Sequence, residues 1–325
     1  MNVYDDTVAD NKGDPVSLST YNGKGVKCLY TKELFLEDCM LVYGRTDGNT
    51  VDIPGTGQVK IYDTPLIAFA DANDKLFEQY KRPEIIGRNY FTPIEWLASA
   101  KTVISFFLPF TFEVRSSNRI DRTDPSQEWL YGRIEGQAFI TEYMTGLRQL
   151  LREKGIDSCV PSQDERFGIQ FEMTSLNGIA DFHADSKWSE RHAAYACGLG
   201  TFGLSRGLIS EKGIAGRYAS IIVSEKWQAT GRSYTGIDDY CIKCGVCAKN
   251  CPAQAISLEN GKNNILCNAH VEKMKAKYSP RYGCGKCQVG VPCECRAPGL
   301  RKKADLKHGA CLEKTGQGNV HSRCG

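Results

Sequence analysis

The sequence predicts an α+β protein in two parts, a mixed helix-and-strand domain over roughly the first 230 residues and then a small module organised by cysteines. Three observations predict it. The chain has 325 residues and fifteen cysteines, and eleven of these fall in the last 85 positions. Residues 241–252 read C-I-K-C-G-V-C-A-K-N-C-P. Upstream of them, short apolar runs of strand type stand among segments with helical periodicity.

Composition narrows the function classes. Hydrophobic residues make up 41% and charged residues 24% of the chain, values of a globular protein rather than a disordered one. The net charge is +3, with Lys and Arg spread along the chain, so charge indicates neither nucleic acid nor an anionic membrane as a partner. The first residues, MNVYDDTVADNKGD, lack the apolar core of a secretory signal and a twin-arginine pair. The longest apolar run, Val103 to Phe110, is too short to cross a bilayer. A cytoplasmic protein with no membrane partner is the expectation.

In chain order, Asp63 to Ala70 leads into Asp71–Tyr80, where Asp71 is the expected cap of a short helix. Thr92-Pro-Ile-Glu95 carries an N-cap, a proline at the first helical position and Glu95 as the third residue of a capping box. Lys101 to Leu108 is a continuous apolar run ended by Pro109, which fits a buried strand. Ile134, Ala138, Ile140, Met144, Leu147, Leu150 and Leu151 recur at helical steps, and Gly155 closes that helix. Gly216 to Val223 reads as a second strand. Between them, Ser186 to Cys197 suits a helix, which Gly198, Gly200 and Gly203 then break. Glycines that close together let a backbone run against a flat ligand or against another chain segment, and the pattern leaves both readings open. Their G-x-G-x-x-G spacing follows a helix and not a strand, so it is not a dinucleotide fingerprint. Glu190, Arg191 and His192 read either as a polar site or, by preference, as a solvated helix face with one satisfied His.

The cysteine-rich segment carries the chemistry. C-x2-C-x2-C-x3-C-P is the run of bacterial ferredoxins. Its tight loop points three thiolates at one cubane, and the fourth cysteine serves a second. Zinc sites use well-separated C-x2-C pairs instead. A second cluster demands four further ligands downstream, and Cys267, Cys284, Cys287 and Cys293 supply them. The crossed assignment gives Cys241, Cys244, Cys247 and Cys293 to one [4Fe–4S] cluster and Cys251, Cys267, Cys284 and Cys287 to the other. Cys295 is the alternative to Cys293, which is preferred for its neighbouring proline. Two neighbouring clusters make a relay. Cys311 and Cys324 have no assigned role, and the segment after residue 298 reads as a polar, basic tail.

The order of these segments resembles the epoxyqueuosine reductases and reductive dehalogenases. The matching residues are Val103 to Pro109, Tyr131-Gly-Arg133, Ala193 to Gly207, Cys241 to Pro252 and Tyr282 to Pro298. The resemblance implies a nitroreductase-like N-terminal domain followed by a ferredoxin-like domain with two [4Fe–4S] clusters. It divides the chain into residues 1–90, an unassigned extension packing on the main domain, 91–232, 233–298 and 299–325. It further implies a cobalamin, electrons from an external ferredoxin or flavodoxin, and a small-molecule or modified-nucleoside substrate. Gly198, Leu199, Gly200 and Gly203 would pack against the corrin. The family's proton donor maps onto Asp185, with Asp181 as its rival, or onto a phenol, Tyr131 or Tyr195. Asp185-Ser-Lys-Trp lacks the family's proline, and residues 1–90 match nothing in the resemblance. A flavin in place of cobalamin, or an electron carrier without a substrate of its own, are the alternatives.

Overall fold

The computed structural model describes residues 7–9, 15–17 and 30–300. Cys28, Cys311, Cys324 and all but the first two residues of the basic tail lie outside them. Thr7–Ala9 (β1) and Pro15–Ser17 (β2) pair antiparallel. Lys32–Arg45 (α1) opens at Thr31, whose Oγ1 accepts from the Leu34 N–H. Thr50–Ile53 (β3) and Gly57–Lys60 (β4) form a hairpin ahead of Leu66–Asp71 (β5). Lys75–Gln79 (α2) is capped by Asp74, not by Asp71 as the sequence led us to expect. Asp71 still ends β5, and its carboxylate accepts from the Asn73 N–H in the turn before the helix. Pro93–Trp96 (α3) follows the predicted pattern, with the Glu95 carboxylate accepting from the Thr92 N–H and hydroxyl.

Thr102–Pro109 (β6) is the predicted strand, and Phe112–Ser117 (α4) follows it. Gln127–Glu153 (α5) begins well upstream of Ile134, because Ser126 Oγ accepts from the Trp129 N–H and opens the helix there. It ends at Gly155, whose φ of +71° suits the left-handed closing position. Ser158–Cys159 (β7) precedes a hairpin of Ile169–Leu176 (β8) and Ile179–Ser186 (β9). Glu190–Cys197 (α6), the small hairpin of Gly200–Phe202 (β10) and Leu208–Ser210 (β11), and Gly216–Val223 (β12) complete the larger part. The cysteine module adds Val246–Lys249 (α7), the pair Ile256–Ser257 (β13) and Gly261–Lys262 (β14), and Asn264–Tyr278 (α8).

The central sheet runs β5–β6–β12–β7, antiparallel throughout. Every residue of β6 is buried, which explains why it reads as an unbroken apolar run: both faces are covered. Ile104, Phe106 and Leu108 point into a core with Phe35 of α1 and Phe139, Tyr143 and Leu147 of α5. Val103 and Phe107 point the other way, onto Ala193, Ala194 and Cys197 of α6 and the ring of Trp188. Because β5 is hydrogen-bonded to β6 from Leu66 to Asp71, the division drawn after residue 90 is not a boundary in the fold. Residues 30–90 build part of the same cores.

Leu147 has no exposed surface, so its truncation leaves a cavity between α5 and the sheet. Leu147→Ala is predicted to lower stability by about 2–5 kcal/mol in urea unfolding followed by circular dichroism. A loss below about 0.5 kcal/mol, the range of surface changes, would contradict this packing.

Candidate functional site

Six of the eight cysteines come from loops that must turn sharply, while Cys247 lies on α7 and Cys267 on α8. Lys243 and Gly245 both take positive φ, +49° and +73°. The Cys241 N–H donates to the Asp238 carbonyl (2.8 Å) and the Cys251 N–H to the Ala248 carbonyl (3.1 Å). Ala255 N–H donates to Cys251 Sγ at 3.3 Å, a contact of the kind that tunes cluster sulfurs. In the second loop Gly285 has φ +71°, and a Cβ there would lie 2.0 Å from the Trp129 ring of α5. Only glycine lets this loop seat against that indole.

The loops are pinned to the larger part by buried polar contacts. Lys286 Nζ donates to the carbonyl (2.8 Å) and Oδ1 (3.1 Å) of Asn118, and Asn118 Nδ2 donates to the Cys284 carbonyl (3.0 Å). Glu294 is buried between Arg115 (3.3 Å) and Arg119, and also accepts from the Gly290 N–H. Ile214 and Ala215 N–H groups donate to the Cys293 and Glu294 carbonyls, which joins this loop to the start of β12.

The cysteines separate into two groups. Cys241, Cys247 and Cys293 line a small apolar cavity together with Cys244, and the same four interact electrostatically. Burial first, then these neighbours, pushes the Cys247 thiol up to about 11 and Cys293 up to about 12. Cys284 and Cys287 are raised to about 11 and about 12, again by burial first, and each interacts with Cys251 and Cys267. These are the two predicted quartets. Cys295 does not line the cavity; its backbone lies against Gly213. Among the described residues, no three His, Cys, Asp or Glu side chains are close enough to share a single metal ion. A cubane spreads its four thiolates over separate irons and makes no such demand.

The other predicted site residues are dispersed. Gly198 and Gly200 face backbone, since a Cβ on either would strike the Gly231 or the Ile209 carbonyl. Leu199 is buried in the core under α6. Gly203 closes the tight turn that carries Arg206, with the Gly203 N–H on the Gly207 carbonyl and the Arg206 N–H on that of Gly203. Asp185 is buried and tied to the Asn89 N–H (3.3 Å) and Nδ2 (2.8 Å). Asp181 accepts from the Asn264 and Phe182 N–H groups and pairs with Arg206 at 3.4 Å. Tyr131 lies under the Arg281 guanidinium on α5. Tyr195 packs on Phe202 and Tyr234, toward the first quartet.

Glu190 and His192 are not on a solvated face. His192 is enclosed beside Tyr80 and Phe202, and burial, then the Arg191 charge, lowers it to about 3. Glu190 Oε2 accepts from Ser220 Oγ (2.6 Å), while Oε1 is buried with no partner. Burial raises its carboxyl to about 8. The sequence did not bring together Arg133, Arg191, Arg206 and Arg217, which interact electrostatically in the fold, Arg191 also with Cys287 of the second quartet. They come from four separate elements, so no sequence spacing joins them.

A 4Fe–4S binding domain family matches residues 234–257, the segment that holds Cys241, Cys244, Cys247 and Cys251. The chain is similar, at 18% identity and a TM-score of 0.45, to an epoxyqueuosine reductase from Bacillus subtilis. It is similar at 17% identity and 0.47 to an epoxyqueuosine reductase with an epoxyqueuosine-modified tRNA stem loop. Each alignment covers 81% of this chain and 65% of the reductase, so the chain spans just under two thirds of those proteins. A catabolic reductive dehalogenase aligns at 13% identity and a TM-score of 0.47, over 71% of this chain and 30% of its own. No curated protein matches the chain. Among the described residues no helix is long and apolar enough to cross a membrane.

Two predictions follow from the site. Cys287→Ser and Cys293→Ser should each take the iron content of the reconstituted chain from about eight atoms to about four, while Cys295→Ser keeps about eight; loss of iron in Cys295→Ser alone would reverse the choice of ligand. The raised Glu190 carboxyl means that the unfolded chain releases this proton at lower pH than the native one does. Native stability therefore falls as pH rises from the ordinary Glu range toward about 8. Glu190→Gln should melt with the parent at pH ~4.5 and above it at pH ~8; parallel melting curves at both would contradict this.

Proposed function

We propose that the chain is an iron–sulfur reductase. In this reading it takes electrons from an external ferredoxin or flavodoxin through two [4Fe–4S] clusters and delivers them to a bound cobalamin. The observation that carries it is the separation of eight cysteines into two quartets, one of which includes the exposed Cys244. The first quartet lies toward the surface: Cys244 is exposed and Ile242 is 53% exposed. No cysteine of the second quartet is exposed, and Cys287 interacts with Arg191 of α6. On that exposure, electron entry is placed at the first quartet and exit at the second. The clusters supply one-electron relay, and a corrinoid, when bound, supplies a metal able to reduce a carbon–heteroatom bond.

The residues beside the second quartet fit a large polar cofactor. Arg191 keeps contact with water although protein surrounds it, as befits a side chain lining a recess. Arg133 Nε is buried there with no hydrogen-bond partner. Arg133, Arg191, Arg206, Arg217 and Tyr218 would hold the cofactor. The Gly198–Gly203 segment acts on it by fixing the turn that presents Arg206, and the nitroreductase-like fold of the larger part belongs to the same proposal. Of the two aspartates, Asp181 reaches the recess through Arg206, so proton handling is placed at Asp181 Oδ2 and Asp185 is given an anchoring role on the loop at Asn89. A modified nucleoside or another small molecule is the proposed substrate class.

Anaerobic purification with added hydroxocobalamin, followed by iron and cobalt analysis, tests this. About eight irons with one cobalt per chain is the expected result. The same iron with no cobalt would overturn the corrinoid and leave an electron carrier or a flavin protein.

A further inference from the structure

We propose that the recess beside the second quartet contains an oxyanion subsite, in which Arg133, Arg191, Arg206 and Arg217 take a phosphate or carboxylate carried by the bound ligand. This deepens the functional reading above and rests on it for the placement of the electron exit. Arg133 comes from α5, Arg191 from α6, Arg206 from the turn after Gly203, and Arg217 from the start of β12. Arg191 Nη1 donates to the Arg206 carbonyl at 2.6 Å, which draws those two elements together. Arg217 Nη2 donates to Gln137 Oε1, one helical turn from Arg133 on α5. Arg133 lies over the Tyr282 ring at 4.4 Å, two residues before Cys284.

Most half-buried arginines elsewhere in the described residues meet a carboxylate, Glu294 for Arg115 and Arg119, Glu135 for Arg281 and Asp164 for Arg166, while Arg296 donates to the Pro292 carbonyl. In the recess Asp181 answers Arg206 alone. Among the described residues no carboxylate pairs with Arg133, Arg191 or Arg217. Arg217 is lowered by burial first and then also by Arg133 and Arg191, and Arg191 by burial first and then by Arg206, so like charges face each other. The negative charge of a thiolate-bound cluster would answer Arg191 through Cys287 but leaves the others. A set of guanidinium forks that reaches water at Arg191 and Arg206 and has one carboxylate among four charges selects a planar or tetrahedral oxyanion, which accepts paired N–H bonds, over a neutral or cationic group.

The test uses the full chain with both clusters reconstituted, melted in increasing inorganic phosphate at constant ionic strength against chloride. A saturable rise in melting temperature is expected, with the half-saturating phosphate raised at least tenfold in Arg217→Gln and in Arg133→Gln and unchanged in Arg45→Gln, an exposed residue of α1. Iron content shows that each variant is folded. No rise beyond that in chloride, or an equal rise in both recess variants, would overturn the proposal. Hydroxocobalamin and cobinamide, which lacks the phosphodiester, then identify the source. If hydroxocobalamin abolishes the phosphate effect and cobinamide does not, the cofactor's own phosphate fills the subsite; if the effect survives both, the oxyanion belongs to the substrate. A saturable phosphate effect in a chain that binds no cobalt would support the subsite while overturning the corrinoid.

Discussion

A buried carboxylate holds the two parts of this molecule in one frame. Glu294 follows directly on a first-quartet cysteine, and it is satisfied by Arg115 and Arg119 from the α4 segment and by the Gly290 N–H of its own loop. A lone charge at that depth would be strongly unfavourable, whereas a paired and hydrogen-bonded one is tolerated only in the right geometry. The Ile214 and Ala215 N–H groups complete the tie by donating to the carbonyls of Cys293 and Glu294. The cavity lined by the first quartet therefore inherits its position from the start of β12 and from α4 and the residues just after it, two parts of one sheet-centred core.

The second quartet depends on the same core by different means. Asn118 receives Lys286 and holds the Cys284 carbonyl, so the loop with two of its cysteines is fastened to the end of α4. The remaining two cysteines arrive on α7's C-terminal side and on α8. α8 begins at Asn263, whose Oδ1 accepts from the Leu266 N–H, and the Asn264 N–H donates to Asp181 of β9. Each group thus draws cysteines from both runs, and neither can assemble before the loops are close. That is the physical content of the crossed arrangement.

Much of this was legible in the sequence where local chemistry decides structure. β6 and β12 announced themselves by apolar runs, α3 by its capping box, and the two quartets by cysteine spacing. Other elements carried weak local signals. α1 has little segregation of apolar residues and only Thr31 to mark its start. α8 hides Cys267 in a polar helix. The assignment of Asp71 as a cap failed because Asp74, three residues on, offers the same chemistry at the point where the strand has already ended. Glu190 and His192 were misplaced for a different reason. Polar residues at a helix start normally face water, and only the fold puts Ser220 and Tyr80 against them. The arginine recess lay beyond sequence reasoning altogether, since its members meet only after β12 and α6 are packed.

The contact between Gly285 and Trp129 bears on how such a chain can diverge. The loop backbone presses so closely on the indole that no side chain fits at 285 while the ring stays where it is. Neither position can change alone: a smaller residue at 129 opens a hole under the second quartet, and any residue but glycine at 285 collides with the helix. Descendants of this chain should therefore exchange the two together or keep both, and the start of α5, remote in sequence from every cysteine, drifts no faster than the thiolates it supports.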